Sequence, residues 1–186
     1  MESRSGELRY VRVDATNLNL ALKLRTLAWP NRTIPEYYYE KAYHDDWQED
    51  VCWLVYHSDD LVGLAGIYTF DEGEGGYDEL ESVWMDSFMI VPEFRRRGFG
   101  GQVLSDVFEY CKGLAGFKYF RLDTTFWEGR PAVALYDKMM DLREKYDTEK
   151  PEHGEYYLVY SKALGDWEVK PWNNRFLGLN RPGMSG

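Results

Sequence analysis

One stretch, from Met85 to Ala115, constrains the fold of this 186-residue chain more than any other. Phe88 to Val91 form a continuous apolar run, which predicts a strand buried on both faces. Pro92 ends this strand because proline cannot donate to a ladder of hydrogen bonds. The apolar residues that follow recur at helical spacing: Phe99, Val103, Leu104, Val107, Phe108 and Cys111. The stretch therefore predicts a strand, a tight turn and an amphipathic helix.

The predicted turn is basic and rich in glycine. Its residues are Arg95, Arg96, Arg97, Gly98, Gly100 and Gly101. Glycine lets the backbone approach a ligand closely. The first N–H groups of a helix have no partners within the helix, and they carry the positive end of its dipole. Together with the arginines, these features predict a site for a phosphate group.

Charge is distributed unevenly along the chain. The formal net charge is −10, which argues against nucleic acid as the main partner. Between Ile34 and Phe94, however, sixteen Asp or Glu residues accompany a single basic residue, Lys41, so this segment alone carries −15. One interpretation is a solvated acidic face that keeps the protein soluble. The other is a field that attracts a cationic substrate, while the arginines attract an anionic cofactor.

Nothing in the sequence indicates a membrane or metal protein. No apolar run approaches the roughly 18 residues that a membrane span needs, and the N-terminus lacks an apolar signal sequence. Cys52 and Cys111 lie within apolar patterns, which is typical of buried thiols in a reducing compartment, so we expect free cysteines and a cytoplasmic protein. No metal is expected, because the histidines are far apart and lack metal-ligand spacing: His44, His57 and His153.

Further strands and helices are predicted on both sides of this stretch. The expected strands are Leu8 to Val13, Val51 to Tyr56, Leu61 to Phe70, Lys118 to Thr124 and Glu155 to Ala163. Gly63 and Gly66 predict a bulge in one of them. Helices are expected over Leu18 to Leu27, over Tyr37 to Tyr43 and from Arg130, the last of which we interpret as extending through Leu142 to Tyr146. The strand, helix and strand around the basic turn form a βαβ unit, so its two strands should be parallel neighbours.

Two motifs in this order of elements resemble those of a known family. The run from Met89 to Gly100 resembles motif A of the GNAT superfamily of N-acetyltransferases, in which R/Q-x-x-G-x-G/A follows a strand; Arg95, Gly98 and Gly100 match it. Ala132 to Lys138 (AVALYDK) resembles the A-x-x-L-Y-x-K helix of the same family. The resemblance implies an α/β fold with a mixed, mostly antiparallel sheet, splayed at two parallel central strands and flanked by helices. It predicts an N-acetyltransferase domain over residues 1–164 and a C-terminal extension over residues 165–186.

The resemblance also implies a co-substrate, acetyl-CoA. Its pyrophosphate would lie on the backbone N–H groups from Arg96 to Gly101, and its pantetheine arm would pair with the strand at Phe88, Met89 and Ile90. That strand would also offer a backbone N–H to the thioester oxygen. The expected cofactor-binding residues are Phe88, Met89, Ile90, Arg95, Arg96, Arg97, Gly98, Phe99, Gly100 and Gly101.

Direct acyl transfer to an amine needs an acid and a base. The resemblance implies that Tyr136 is the acid beside the sulfur. For the base it leaves three alternatives open: Asp86 at the start of the motif A strand, Asp123 on the next strand, or a chain of water molecules. The sequence departs from the family at Gly129, where asparagine is frequent, and at Met140-Asp141, which replaces Gly-Phe.

The sequence thus predicts acetylation of a primary amine, which the acidic segment suggests is cationic: a polyamine, an amino sugar or a peptide amine. The alternative is a non-catalytic CoA-binding or sensor module on the same fold. No nucleic acid or membrane partner is expected. The tail contains Trp167, Trp172, Phe176 and Leu177. Its aromatic residues predict that its first part docks on the domain or on a second subunit, and the second case would make the protein a homodimer.

Overall fold

The computed structural model describes residues 7–28, 50–69, 80–126, 131–147 and 156–172. In these ranges the chain forms seven strands and three α-helices: β1 (Leu8–Arg12), α1 (Leu18–Ala28), β2 (Val51–His57), β3 (Asp60–Tyr68), β4 (Ser82–Ile90), α2 (Phe99–Lys112), β5 (Tyr119–Phe126), α3 (Pro131–Met139), β6 (Leu142–Asp147) and β7 (Tyr156–Ala163). The predicted helix over Tyr37 to Tyr43 lies outside the described residues. None of the three described helices is long and apolar enough to cross a membrane.

The seven strands pair in the order β1-β2-β3-β4-β5-β7-β6. Antiparallel pairs join β1 to β2, β2 to β3, β5 to β7 and β6 to β7, whereas β4 and β5 are parallel. The parallel ladder spans only Ser82 to Trp84 against Tyr119 to Arg121, although both strands continue beyond it. The predicted α/β fold, with a mixed, mostly antiparallel sheet and a parallel pair at its centre, is confirmed.

The chain divides into two compact units, and β4 contributes to both. The first unit comprises Met1–Tyr68 and Asp86–Glu109, and the second comprises Thr69–Met85 and Tyr110–Gly186.

In the first unit, α1 buries one face in a core that it shares with the strands. The core cluster comprises Val13, Leu18, Ala21, Leu24, Cys52, Leu54, Leu64 and Met89. Asp14 caps the start of α1, because its carboxylate accepts hydrogen bonds from the amides of Thr16 (2.7 Å) and Asn17 (3.2 Å). The hydroxyl of Thr16 donates to the same carboxylate, and these bonds lower the pKa of Asp14. The apolar periodicity and the cap together explain why the helix starts at this point.

The second unit is built on β5, which is buried on both faces. Phe120 is fully buried, and its neighbour Arg121, with 1% of its surface exposed, lies on the opposite face. The Arg121 Nε donates to Ser82 Oγ at 3.0 Å, and its Nη1 donates to Ser161 Oγ and to the carbonyl of Lys170 at 3.1 Å. One buried guanidinium therefore links β4, β5, β7 and the start of the tail.

The segment from Leu142 to Tyr146 is a strand, so the expected extension of the preceding helix is wrong. It forms β6 and pairs antiparallel with β7, with Leu142 opposite Ser161 and Tyr146 opposite Tyr157. Exposure alternates along it: Leu142, Glu144 and Tyr146 are half-buried, and Arg143 and Lys145 are exposed. This alternation is typical of a strand, and charged side chains suit a strand at the end of a sheet. The pairing with β7 outweighs the helical propensity of these residues.

The described part of the tail packs on the second unit. Trp172 has 6% of its surface exposed, and its ring lies edge-on to those of Trp84 and Tyr146, with centroid distances of 5.3 and 5.7 Å. Its amide donates to Glu144 Oε2 at 2.7 Å. Trp167, in contrast, is 53% exposed. The first part of the tail is therefore held by Trp172, while a second subunit remains a prediction.

Candidate active site

The basic turn after β4 has an irregular backbone. Pro92–Phe94 form a single 3₁₀ turn, closed by the amide of Arg95, which donates to the Pro92 carbonyl at 3.2 Å. Arg96 (φ 60°) and Gly98 (φ 89°) then adopt left-handed conformations. Glycine accepts this conformation at little cost, whereas an arginine in it is strained. The left-handed backbone is therefore the physical reason for glycine at position 98. Lack of space is not the reason, because an added Cβ would meet no atom within 4 Å.

The amide groups of this turn are available to a ligand. Within the described ranges, the amides from Arg96 to Gly101 donate to no backbone carbonyl, and the first helical bond of α2 runs from the amide of Gln102 to the carbonyl of Gly98 (3.2 Å). These amides carry the positive end of the helix dipole. Left-handed residues at alternating positions also turn successive N–H groups toward one concavity, which suits an anion. The residues present therefore fit a phosphate group.

The three arginines of the turn have different surroundings, although all are exposed. The Arg95 Nε donates to the carbonyl of Ile90 at 2.9 Å, so this side chain folds back onto the end of β4. The guanidinium of Arg97 lies over the ring of Phe94, 5.3 Å from its centroid. Arg96 differs from the other two arginines in its backbone, which is left-handed. Arg95 therefore stabilises the turn itself, in addition to the positive charge that all three residues contribute.

The end of β4 presents two different edges. The amide of Val91 donates to the carbonyl of Val62 at 2.9 Å, and the Met89 carbonyl oxygen lies only 2.5 Å from where a Cβ on Gly63 would be. Met89 and Val91 therefore point their backbone groups toward β3. Because these directions alternate along a strand, the backbone groups of Phe88 and Ile90 point to the opposite edge.

Asp86 lies just before this segment, at an irregular point of β4. Its neighbour Ser87 has a left-handed backbone (φ 50°), which is unusual within a strand. The Ser87 hydroxyl donates to Asp86 Oδ1 at 3.0 Å, and both residues are half-buried. The carboxylate is thus oriented by its neighbour at a kink in the strand.

The remaining predicted catalytic residues belong to the second unit. Tyr136, in α3, is 7% exposed, and its ring lies 5.5 Å from that of Tyr160 with an interplanar angle of 60°. Asp123, in β5, is half-buried and pairs with Val159 of β7. The structure thus places Asp86, Phe88–Ile90 and Arg95–Gly101 in the first unit, and Asp123 and Tyr136 in the second.

The sequence did not point to a polar network beside Tyr136. The Tyr160 hydroxyl donates to Asp137 Oδ1 at 2.8 Å, and Arg143 Nη1 donates to both Asp137 oxygens at 3.1 and 3.3 Å. Burial, and then the hydrogen bond to Asp137, raise the pKa of Tyr160. The network depends on β6 being a strand, because only then does Arg143 lie near α3. The sequence carries no signal for it, because polar and apolar side chains do not alternate over residues 142–146 (LREKY).

The two cysteines lie in the described part of the chain. Cys52 and Cys111 are buried and form no disulfide, as predicted, and burial raises the pKa of the Cys111 thiol to about 12. A thiol with so high a pKa is a poor nucleophile near neutral pH. No group of three His, Cys, Asp or Glu side chains that could hold a metal ion is found in the described ranges.

Several solved acetyltransferases have a similar fold. The ribosomal-protein-S18-alanine N-acetyltransferase from Escherichia coli matches with a TM-score of 0.63 at 11% identity, covering 87% of this chain and 97% of that one. NAA60 from Arabidopsis thaliana, in complex with acetyl-CoA, gives 0.64 at 16% identity, covering 84% and 99%. A chimera of the spermidine N-acetyltransferase SpeG from Vibrio cholerae and hSSAT gives 0.61 at 15% identity, covering 86% and 96%. At such identities the similarity establishes the fold alone. A comparison with curated protein sequences finds no significant match.

The family itself is established by sequence. The acetyltransferase (GNAT) family matches residues 21–141, well over half of the chain. The chain therefore belongs to this family, and it is an acyltransferase. The resemblance inferred from the two sequence motifs is confirmed at the level of the family.

Proposed function

We propose that this acyltransferase moves an acetyl group from acetyl-CoA to a primary amine. The observation that carries the proposal is the row of amides from Arg96 to Gly101, which donate to no backbone carbonyl in the described part of the chain. They lie at the N-terminus of α2, beside three arginines. A pyrophosphate carries the negative charge that this arrangement favours, and binding by backbone N–H groups needs glycine more than any particular polar side chain.

Strand β4 would hold the rest of the donor. Because Met89 and Val91 direct their backbone groups to β3, the opposite edge at Phe88 and Ile90 is the side on which an extended pantetheine arm would pair. A backbone N–H on this edge would also stabilise the oxyanion that develops on the thioester. The Ile90 carbonyl already accepts a hydrogen bond from Arg95, so the part of this edge that can pair with the donor ends at Ile90.

When bound, acetyl-CoA supplies an activated thioester carbonyl. A new C–N bond forms to the amine as the C–S bond breaks, giving an amide and the free thiol of CoA. In our proposal Tyr136 donates its hydroxyl proton to the departing sulfur and regains one from solvent. The amine loses its proton to Asp86, to Asp123 or to a chain of water molecules, and these three alternatives remain open.

The acceptor is proposed to be cationic. The segment from Ile34 to Phe94 carries −15, and such a field raises the local concentration of positively charged substrates. The structural neighbours are named for spermidine and for an alanine of ribosomal protein S18, and this chain shares only its fold with them. Polyamines, amino sugars and peptide amines are therefore the acceptor classes to test.

The phosphate site can be tested with two matched glycine substitutions. Gly98 and Gly116 both have left-handed backbones (φ 89° and 91°), and an added Cβ would meet no atom within 4 Å at either position. Gly98→Ala and Gly116→Ala therefore carry the same backbone strain, but only the first lies at the proposed site. We expect Gly98→Ala to weaken CoA binding, measured by calorimetry, by about tenfold or more, the equivalent of one lost hydrogen bond to a charged group.

Gly116→Ala should bind CoA with the affinity of the wild type. Wild-type affinity in both variants would contradict the phosphate site at α2. Equal losses would indicate that backbone strain, rather than the site, causes the effect.

A further inference from the structure

We propose that Tyr160 is a positioning residue for Tyr136, through its hydrogen bond to Asp137. This inference rests on the proposed role of Tyr136 as the acid. It concerns only α3, β6 and β7, all of which belong to the second unit.

Helix α3 is too short to be stable without contacts to the rest of the protein. It has nine residues, and an isolated helix of that length is marginal in water. Its orientation must therefore come from what it contacts. Val133 and Tyr136, three residues apart and so on the same side of the helix, are both buried.

The rotation of α3 about its own axis is set through Asp137. The Tyr160 hydroxyl, from β7, donates to Asp137 Oδ1 at 2.8 Å, and Arg143, from β6, donates to both carboxylate oxygens. Adjacent residues of a helix lie about 100° apart around the axis. Because Asp137 follows Tyr136 directly, a fixed direction for the carboxylate also fixes the direction of the tyrosine.

The position of α3 along its axis is set by two other contacts with β7. The Lys162 Nζ donates to the carbonyl of Met139 at 3.0 Å, at the C-terminus of the helix, where a cation is favoured. The amide of Asp141 donates to the carbonyl of Ser161 at 3.1 Å. The end of the helix is therefore held without Tyr160, so the Tyr160 hydroxyl, together with Arg143, acts on the rotation of the helix.

Tyr160 also contacts Tyr136 directly. The two rings lie 5.5 Å apart at an interplanar angle of 60°, within the range of favourable aromatic pairs. Tyr160 has 1% of its surface exposed, so it cannot change rotamer without disturbing its neighbours. Replacing it by phenylalanine keeps this ring contact and removes only the bond to Asp137.

A double-mutant cycle tests the inference. We expect Tyr160→Phe to lower kcat for acetyl transfer about tenfold, since small misplacements of catalytic groups are costly, and to leave the KM for acetyl-CoA unchanged. In the Tyr136→Phe background the same substitution should cause no further loss, because the group that it positions is gone. Asp137→Ala, at a side chain that is 41% exposed, should give the same pattern if Tyr160→Phe proves unstable.

Tyr10→Phe is the matched control. The Tyr10 hydroxyl donates to Asp106 Oδ2 at 2.6 Å, so this substitution removes the same type of bond in the first unit. Its effect on kcat should be small and equal in both backgrounds. The inference is overturned if Tyr160→Phe lowers kcat by the same factor with and without Tyr136, or does not lower it at all. If Tyr136→Phe alone retains the wild-type kcat, the acid assignment fails first, and the inference fails with it.

Discussion

Individual glycines in this protein serve different physical purposes. Gly98 is needed for its left-handed backbone, whereas Gly63 is needed because two strands approach closely. A Cβ on Gly63 would lie 2.5 Å from the carbonyl oxygen of Met89 and 3.1 Å from Ile90 Cδ1. The bulge predicted nearby is present, since the register between β2 and β3 shifts at Val55/Tyr56, opposite Gly63 and Leu61. Gly63 thus supports the site indirectly, by letting β3 lie against the end of β4.

Gly63→Ala should therefore destabilise the protein. A contact of 2.5 Å with a backbone oxygen forces one of the strands to move, and overpacking of this kind costs about 1–3 kcal/mol of unfolding free energy. Gly113→Ala is the control, because its Cβ would meet the Tyr110 carbonyl oxygen at 3.3 Å and its backbone is not left-handed. Urea denaturation of the two variants measures the difference. A loss at Gly63 no larger than that at Gly113 would contradict the close approach.

Among the elements, the most consequential is β6, which the sequence did not reveal. Leu142, Arg143, Glu144, Lys145 and Tyr146 are acceptable in a helix, so local propensity offered no reason to end α3 at Met139. Pairing with β7 decides the outcome, and pairing is a property of the whole sheet. As a consequence, Arg143 binds Asp137, and Glu144 accepts a hydrogen bond from the amide of Trp172. The same strand thus supports α3 on one side and the tail on the other.

The tail should contribute to stability through one of its two described tryptophans. Trp172 is buried against Trp84 and Tyr146, so Trp172→Ala should lower the unfolding free energy by about 3 kcal/mol or more. Trp167, in the same segment, is 53% exposed, although Lys118 Nζ lies 5.3 Å from its ring. Trp167→Ala should cost less than about 1 kcal/mol, as a surface cation–π contact would suggest.

Thermal or urea unfolding of both tryptophan variants provides the measurement. Similar losses for the two would mean that the tail does not pack as described. Whether a second subunit also covers the tail stays a prediction, as does the boundary between a domain over residues 1–164 and an extension over residues 165–186.

At the scale of the whole molecule, the sequence predicted the family and the sheet for clear physical reasons. The turn after β4 depends on the local backbone, as the left-handed conformation of Gly98 shows, and local backbone requirements are visible in a sequence. The contact between Trp84 and Trp172 and the hydrogen bond between Tyr160 and Asp137 could not be predicted in the same way, because each joins residues far apart in the chain. Most of the residues that give the middle segment its charge lie outside the described ranges, so the acceptor remains a proposal.

The uneven charge supports one further expectation about this acceptor. An acidic field attracts cations over a distance of about 10 Å at 0.1 M salt and over less at higher salt. If the acceptor is cationic, its KM should therefore rise with ionic strength, while the KM of a neutral amine should change little. This comparison belongs in the central experiment.

The central claim is most directly tested by measuring thiol release from acetyl-CoA with a panel of amines. The panel should include a polyamine, an amino sugar, a peptide with a free N-terminus, and neutral and acidic amines, each with wild type and Tyr136→Phe. We predict release with at least one cationic amine, weakened by salt and strongly reduced in the variant. Release with only neutral or acidic amines would contradict the cationic acceptor. Tight binding of acetyl-CoA with no release for any amine would contradict the proposed reaction and favour a non-catalytic CoA-binding module.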